Sequence, residues 1–173
     1  RRRSVTGVLL LPGALVYVIY NYLAYALGRP WDWFAPLCLA LVLLCACVLI
    51  DYLRLVDHEA VKARLDGLVP RKLSGWVLVI FGAAFLLLAA SQIISGIQAG
   101  TIPPLADQAV SIADLLVSAL WLAGGVLLLL KKPFGYSAGL GLLSAASSLF
   151  IGLILFMLIS PPLTGRPFDL AGV

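Results

Sequence analysis

The chain has 173 residues, of which 62% are hydrophobic and 12% charged, with a formal net charge of +4 and a mean hydropathy of +1.09. Soluble domains carry about 45–50% apolar and about 25% charged residues, so a globule of this size in water would leave a large apolar surplus uncovered. A soluble enzyme is excluded, and five apolar stretches of about 20 residues nearly exhaust the length, leaving no room for a separate catalytic domain.

The chain opens Arg1-Arg2-Arg3 and passes into a first span over residues 5–27, where Pro12 and Gly13 free a backbone carbonyl and permit a kink. This run is too long for a signal-peptide core and no small-residue cleavage pattern follows it, so it reads as a retained helix. Gly28, Arg29 and Pro30 stop it, and an aromatic turn of Trp31, Trp33 and Phe34 leads to a second span over 35–55. Asp57 then suits an N-cap, Val61, Leu65 and Leu68 share a face, and Gly67 and Pro70 close the pattern. These residues predict a short amphipathic helix on the cytoplasmic membrane surface between spans two and three. A third span over 73–96 follows Arg71 and Lys72, with Trp76 as an interfacial anchor. After Ile102-Pro103-Pro104 a fourth span covers 108–130, with Ser111 and Asp114 in a capping spacing near its start. Lys131, Lys132 and Pro133 separate it from a fifth span over 135–159, about 37 Å long at 1.5 Å per residue. Residues 161–173 read as an extracytoplasmic tail.

Charge sets the orientation. With the N-terminus in the cytoplasm, Arg1, Arg2, Arg3, Arg54, Lys62, Arg64, Arg71, Lys72, Lys131 and Lys132 fall inside, and only Arg29 and Arg166 fall outside. That is the asymmetry of the positive-inside rule, and fusing spans four and five would bury Lys131 and Lys132 in hydrocarbon. The expected fold is an all-α, five-transmembrane-helix bundle with a cytoplasmic N-terminus and an outside C-terminus. Its basic residues sit where anionic headgroups lie, so the net charge calls for membrane lipids as partners and for no nucleic acid.

Chemistry-bearing residues are few. Cys38, Cys45 and Cys47 lie on one helix, where none can bridge another, and read as packing residues. His58 is the single histidine and falls in the loop after span two, which leaves no imidazole at depth for a haem or pigment and no cluster for zinc. No catalytic residue, metal site or cofactor is expected. Asp51 and Asp114 read as interfacial, so the hydrocarbon interior is expected to hold no titrating side chain, which argues against a proton-driven carrier. Tyr17, Asn21 and Tyr25 share one face of span one and, with Gln92 of span three, make a candidate polar pocket. Ser137, Gly141, Ala145, Ser148 and Gly152 form a stripe of small residues along span five, joined by Gly135 and Gly139 in a GxxxG arrangement. Another helix is expected in that groove.

The run Tyr20-Asn21-Tyr22-Leu23-Ala24-Tyr25-Ala26-Leu27-Gly28, the 57–65 segment, Ser111-Ile112-Ala113-Asp114-Leu115 and Lys132-Pro133-Phe134-Gly135-Tyr136 resemble a family of small multi-spanning bacterial integral membrane proteins without an assigned activity. The resemblance covers most of the chain, implies a helix bundle of the bacterial plasma (inner) membrane, and transfers no catalytic residue.

Three functions remain open at this point. The first is a non-enzymatic accessory or scaffold subunit that docks through small-residue helix faces on another integral membrane protein or a second copy. The second is a small permease or channel-like protein passing an uncharged solute along Tyr17, Asn21, Tyr25, Gln92 and Ser148. The third is a membrane enzyme acting on lipid headgroups through Asp51, His58 and Glu59.

Overall fold

A computed structural model describes residues 5–100 and 102–164. All regular structure in it is helical: α1 (Val5–Leu27), α2 (Phe34–Leu55), α3 (His58–Leu65), α4 (Arg71–Ala99), α5 (Leu105–Leu129) and α6 (Leu140–Thr164), the last preceded by a π-helical turn over Gly135–Gly139. Five of these, all but α3, are long and apolar enough to cross a bilayer, the mark of a multi-pass membrane protein. The spans coincide with the apolar stretches read from the sequence, with longer ends. The fourth begins at Leu105, and α6 continues past the expected stop at Ser160 through Pro161 and Pro162. Residues 165–173 of the expected tail lie outside the described residues.

The start of α5 corrects one reading. Pro104 is extended, with φ −52° and ψ 146°, and its carbonyl accepts from Asp107 N and Gln108 N, so the helix starts directly after the proline pair. Ser111 and Asp114 are therefore interior to α5 rather than its cap, and Asp107 is the acid of the first turn, beside the positive end of the helix dipole.

The tightest pair is α4 against α5, and its cause is a seven-residue repeat of small residues. Gly75 and Gly82 on α4 oppose Gly125 and Ser118 on the antiparallel α5, and Ala89 and Gly96 continue the same spacing along α4, as Ser111 does along α5. A Cβ on Gly82 would lie 2.8 Å from the Leu122 nitrogen and 2.9 Å from the Ser118 carbonyl oxygen, so backbone meets backbone there. A strict seven-residue spacing keeps such a seam on one line along two helices that wrap shallowly to the left. Arg71 fastens the end of the seam by donating to the Leu129 carbonyl at 3.2 Å, a cation at the carbonyl end of α5.

The other helices assemble on this hairpin. Val16, Leu78, Val117, Trp121, Leu142, Ala145 and Ala146, from α1, α4, α5 and α6, form the main core, and Phe85 stands edge-on to both Trp121 and Phe150. α2 packs along α1. The chain leaves α5 through a Schellman turn in which Lys132 N reaches the Leu127 carbonyl and Lys131 N the Leu128 carbonyl, with Lys131 left-handed at φ 57°.

Candidate functional site

Three polar places hold the side chains that could carry function. The first lies within the span region. Tyr20 of α1 donates to Asp114 Oδ1 of α5 at 2.8 Å, and the Ser118 hydroxyl donates to the Asp114 carbonyl one turn on. Asp114 stands nine residues beyond Leu105, about 14 Å along a helix long and apolar enough to cross a bilayer. It lies within a candidate span and bonds another helix, where the sequence predicts an interfacial group. A carboxyl group at that depth is costly unless another group satisfies it, and Tyr20 supplies the donor.

The second lies at the end of the bundle that carries α3. Asp57 caps α3, its carboxylate accepting from Ala60 N at 3.0 Å. His58 Nδ1 is 2.6 Å from the Ser137 hydroxyl, which also donates to the Phe134 carbonyl, while the Phe134 ring lies edge-on to the imidazole at 5.1 Å. Tyr136, fully buried, sends its hydroxyl to Asp66 Oδ1 at 2.8 Å. Val61 and Leu65 pack with Leu128 and Tyr136, so the apolar side of α3 is taken up by the bundle, and only Leu68 of the predicted face is exposed. The π turn makes this possible. A Cβ on Gly135 would come within 2.6 Å of the Leu127–Leu128 peptide, and the glycine lets the widened turn press onto α5. A serine–histidine pair invites comparison with an acyl-transfer dyad. Here the serine is wholly buried and the pair joins α3 to the π turn, while Asp51 and Glu59 are exposed and take no part in it.

The third is a groove of about 1190 Å³ between the last turns of α4 and the first turns of α5, at the opposite end of the molecule. Gln92 belongs to it, its Oε1 accepting from Ser111 at 3.3 Å.

The expected polar pocket is thus not assembled as read. Asn21 turns back to donate to the Tyr17 carbonyl of its own helix, Tyr25 is exposed, Tyr17 faces Gly152, and Gln92 bonds α5. The side chain of α1 that bonds another helix is Tyr20, which is not among the residues of the expected pocket. The small-residue stripe has its partner within the chain. Gly141 lies against Pro12 and the Leu9 carbonyl, Gly13 against Ser144 and Gly141, Gly139 against the Gly124 carbonyl, and Gly135 against Leu127. Ser137 and Ala145 are fully buried in the same contacts, whereas Ser148 is exposed. Among the described residues no three His, Cys, Asp or Glu side chains converge as metal ligands, and the ion pair within 4 Å is Arg29–Asp32 at 3.9 Å.

No family model, curated protein or solved structure matches the chain.

Proposed function

We propose that the protein is a non-enzymatic subunit of a bacterial plasma membrane, its N-terminus and α3 on the cytoplasmic side, which docks on another integral membrane protein through the outer half of α6. The distribution of lysine and arginine supports the orientation. The observation that carries the docking surface is the exposure of α6 beyond Phe150: Ile151, Leu153, Ile154, Leu155, Phe156, Leu158 and Ile159 are all exposed, around the whole circumference of the helix. A helix at the edge of a bundle ordinarily keeps one side against its neighbours, and in this stretch only Gly152, which faces Tyr17, and Met157 are half-buried. The small-residue faces first read as docking surfaces are used up between α1, α5 and α6, which moves the candidate interface outward along the same helix.

Purification in mild detergent tests this. A stoichiometric companion should accompany the chain, be lost when Leu155→Trp and Phe156→Ala are combined, and survive Leu43→Trp on the exposed side of α2. A monodisperse monomer, or a companion indifferent to the α6 changes, defeats the proposal.

A further inference from the structure

The groove between α4 and α5 has a lining whose chemistry can be worked through donor by donor. Its walls are apolar: Ile93 and Ile97 on α4, Ile102 in the loop, and Val110 and Ile112 on α5. Its polar members are Gln92, Ser95, Asp107, Gln108 and Ser111. Three of their side-chain donors are engaged within the protein. Ser95 donates to the Gln92 carbonyl at 3.0 Å, Ser111 to the Asp107 carbonyl at 2.8 Å and to Gln92 Oε1, and Gln108 Nε2 to the Pro103 carbonyl at 2.7 Å. What remains is neutral amide hydrogens of Gln92 and Gln108, the Gln108 Oε1 acceptor, and one charged group, the Asp107 carboxylate, which has no hydrogen-bonded or ionic partner for its side chain among the described residues. Among the described residues no lysine, arginine or histidine lines the space. The groove therefore offers negative charge and lone pairs at its mouth, where α5 begins, and branched aliphatic walls that run on toward Gln92 and Ser111, some two turns deeper.

We propose that this groove binds an amphiphile with an ammonium head, the head at Asp107 and Gln108 and the hydrocarbon along Ile93, Ile97, Val110 and Ile112. An ammonium group supplies what no side chain gives Asp107, several donors and a full positive charge. A phosphoglycerol head would bring an unscreened anion toward the carboxylate and is disfavoured. The volume exceeds the roughly 300–1,000 Å³ of enclosed ligand pockets, as suits a groove open on one side to lipid that holds a head and the first part of its chain. Two sources share this chemistry, an aminoethyl lipid of the bilayer and a free alkylammonium entering from water.

The test uses the full chain in nanodiscs. In one arm, nanodiscs of mixed phosphatidylethanolamine and phosphatidylglycerol are opened in the mass spectrometer and the lipids retained by the protein are counted. In the other, nanodiscs of phosphatidylglycerol alone are titrated with dodecylammonium. Asp107→Asn should weaken retention about three- to tenfold, the range for one charge pair at a partly wet site, while Asp107→Glu retains it. Asp32→Asn, which removes an equal charge at the same end of the molecule, should leave retention unchanged. Asp107-dependent binding in the first arm alone identifies a bilayer lipid, in the second alone a free amine, and in both a site for either. Equal retention of the two phospholipids together with no alkylammonium binding overturns the proposal, as does binding that Asp107→Asn leaves untouched. Val110→Trp, which fills the groove without altering charge, should abolish binding in whichever arm shows it, and binding that persists places the ligand elsewhere.

Discussion

Replacing Tyr20 with Phe removes one oxygen atom and leaves Asp114 at depth without its donor. Hydrogen bonds between helices in a bilayer average about 0.6 kcal/mol and reach about 1.7. A buried acceptor left unpaired adds a penalty of about 1–3 kcal/mol. Both partners are only half-buried, so the lower parts of these ranges apply and the loss should be about 1–2 kcal/mol, roughly a five- to thirtyfold fall in the folded-to-unfolded ratio. Titration of the protein from mild micelles into sodium dodecyl sulfate, followed by circular dichroism, measures it. Asp114→Leu should cost a similar amount, because it strands the Tyr20 hydroxyl. The double variant should cost less than the sum by about 1 kcal/mol, since neither group is then left unpaired. Asp114→Asn, which keeps the accepting oxygen, should stay within about 0.5 kcal/mol of the parent. Additive losses, or a Tyr20→Phe variant as stable as the parent, would refute the claim that this bond holds α1 to α5.

Tyr136→Phe breaks a bond of the same kind, yet Asp66 is exposed and water can replace the phenol, so a loss below about 0.5 kcal/mol is expected in the same titration. Gly82→Ala forces α4 from α5 and should cost about 1–3 kcal/mol, whereas Gly7→Ala, with open space around its Cβ, should be neutral or stabilising by up to about 1 kcal/mol. Lys131→Gly relieves a left-handed lysine and should stabilise by about 1 kcal/mol; a loss would show that the lysine side chain matters more than its backbone. Asp57→Ala removes the cap of α3 and should speed amide exchange across 58–65 about fivefold while the long helices keep their protection.

Hydropathy made the spans legible because 20-residue apolar runs have few other readings, and Asp57, Gly67 and Pro70 marked the short helix and its limits as they stand. Lys131-Lys132-Pro133 likewise placed the last break. Pairing was less legible. The α6 stripe was visible because its small residues fall three or four apart on one helix, yet the sequence could not say that Pro12 and Gly13 would fill it. The repeat at Gly75, Gly82, Ala89 and Gly96 was equally present, and a search at a seven-residue period would have found it together with Ser111, Ser118 and Gly125. Tyr20 was missed because the four-residue spacing of Tyr17, Asn21 and Tyr25 drew attention to a neighbouring face, and nothing local to either residue links it to Asp114.

The bond between Tyr20 and Asp114 also bears on how the molecule is made, since 94 residues separate its two ends. At a synthesis rate of about 5–20 residues per second, the phenol has been in place for roughly 5–20 s when the carboxyl group emerges. The acid thus enters the bilayer to meet a waiting donor. In the reverse order it would have to linger there unaccompanied, and the direction of translation spares it that exposure.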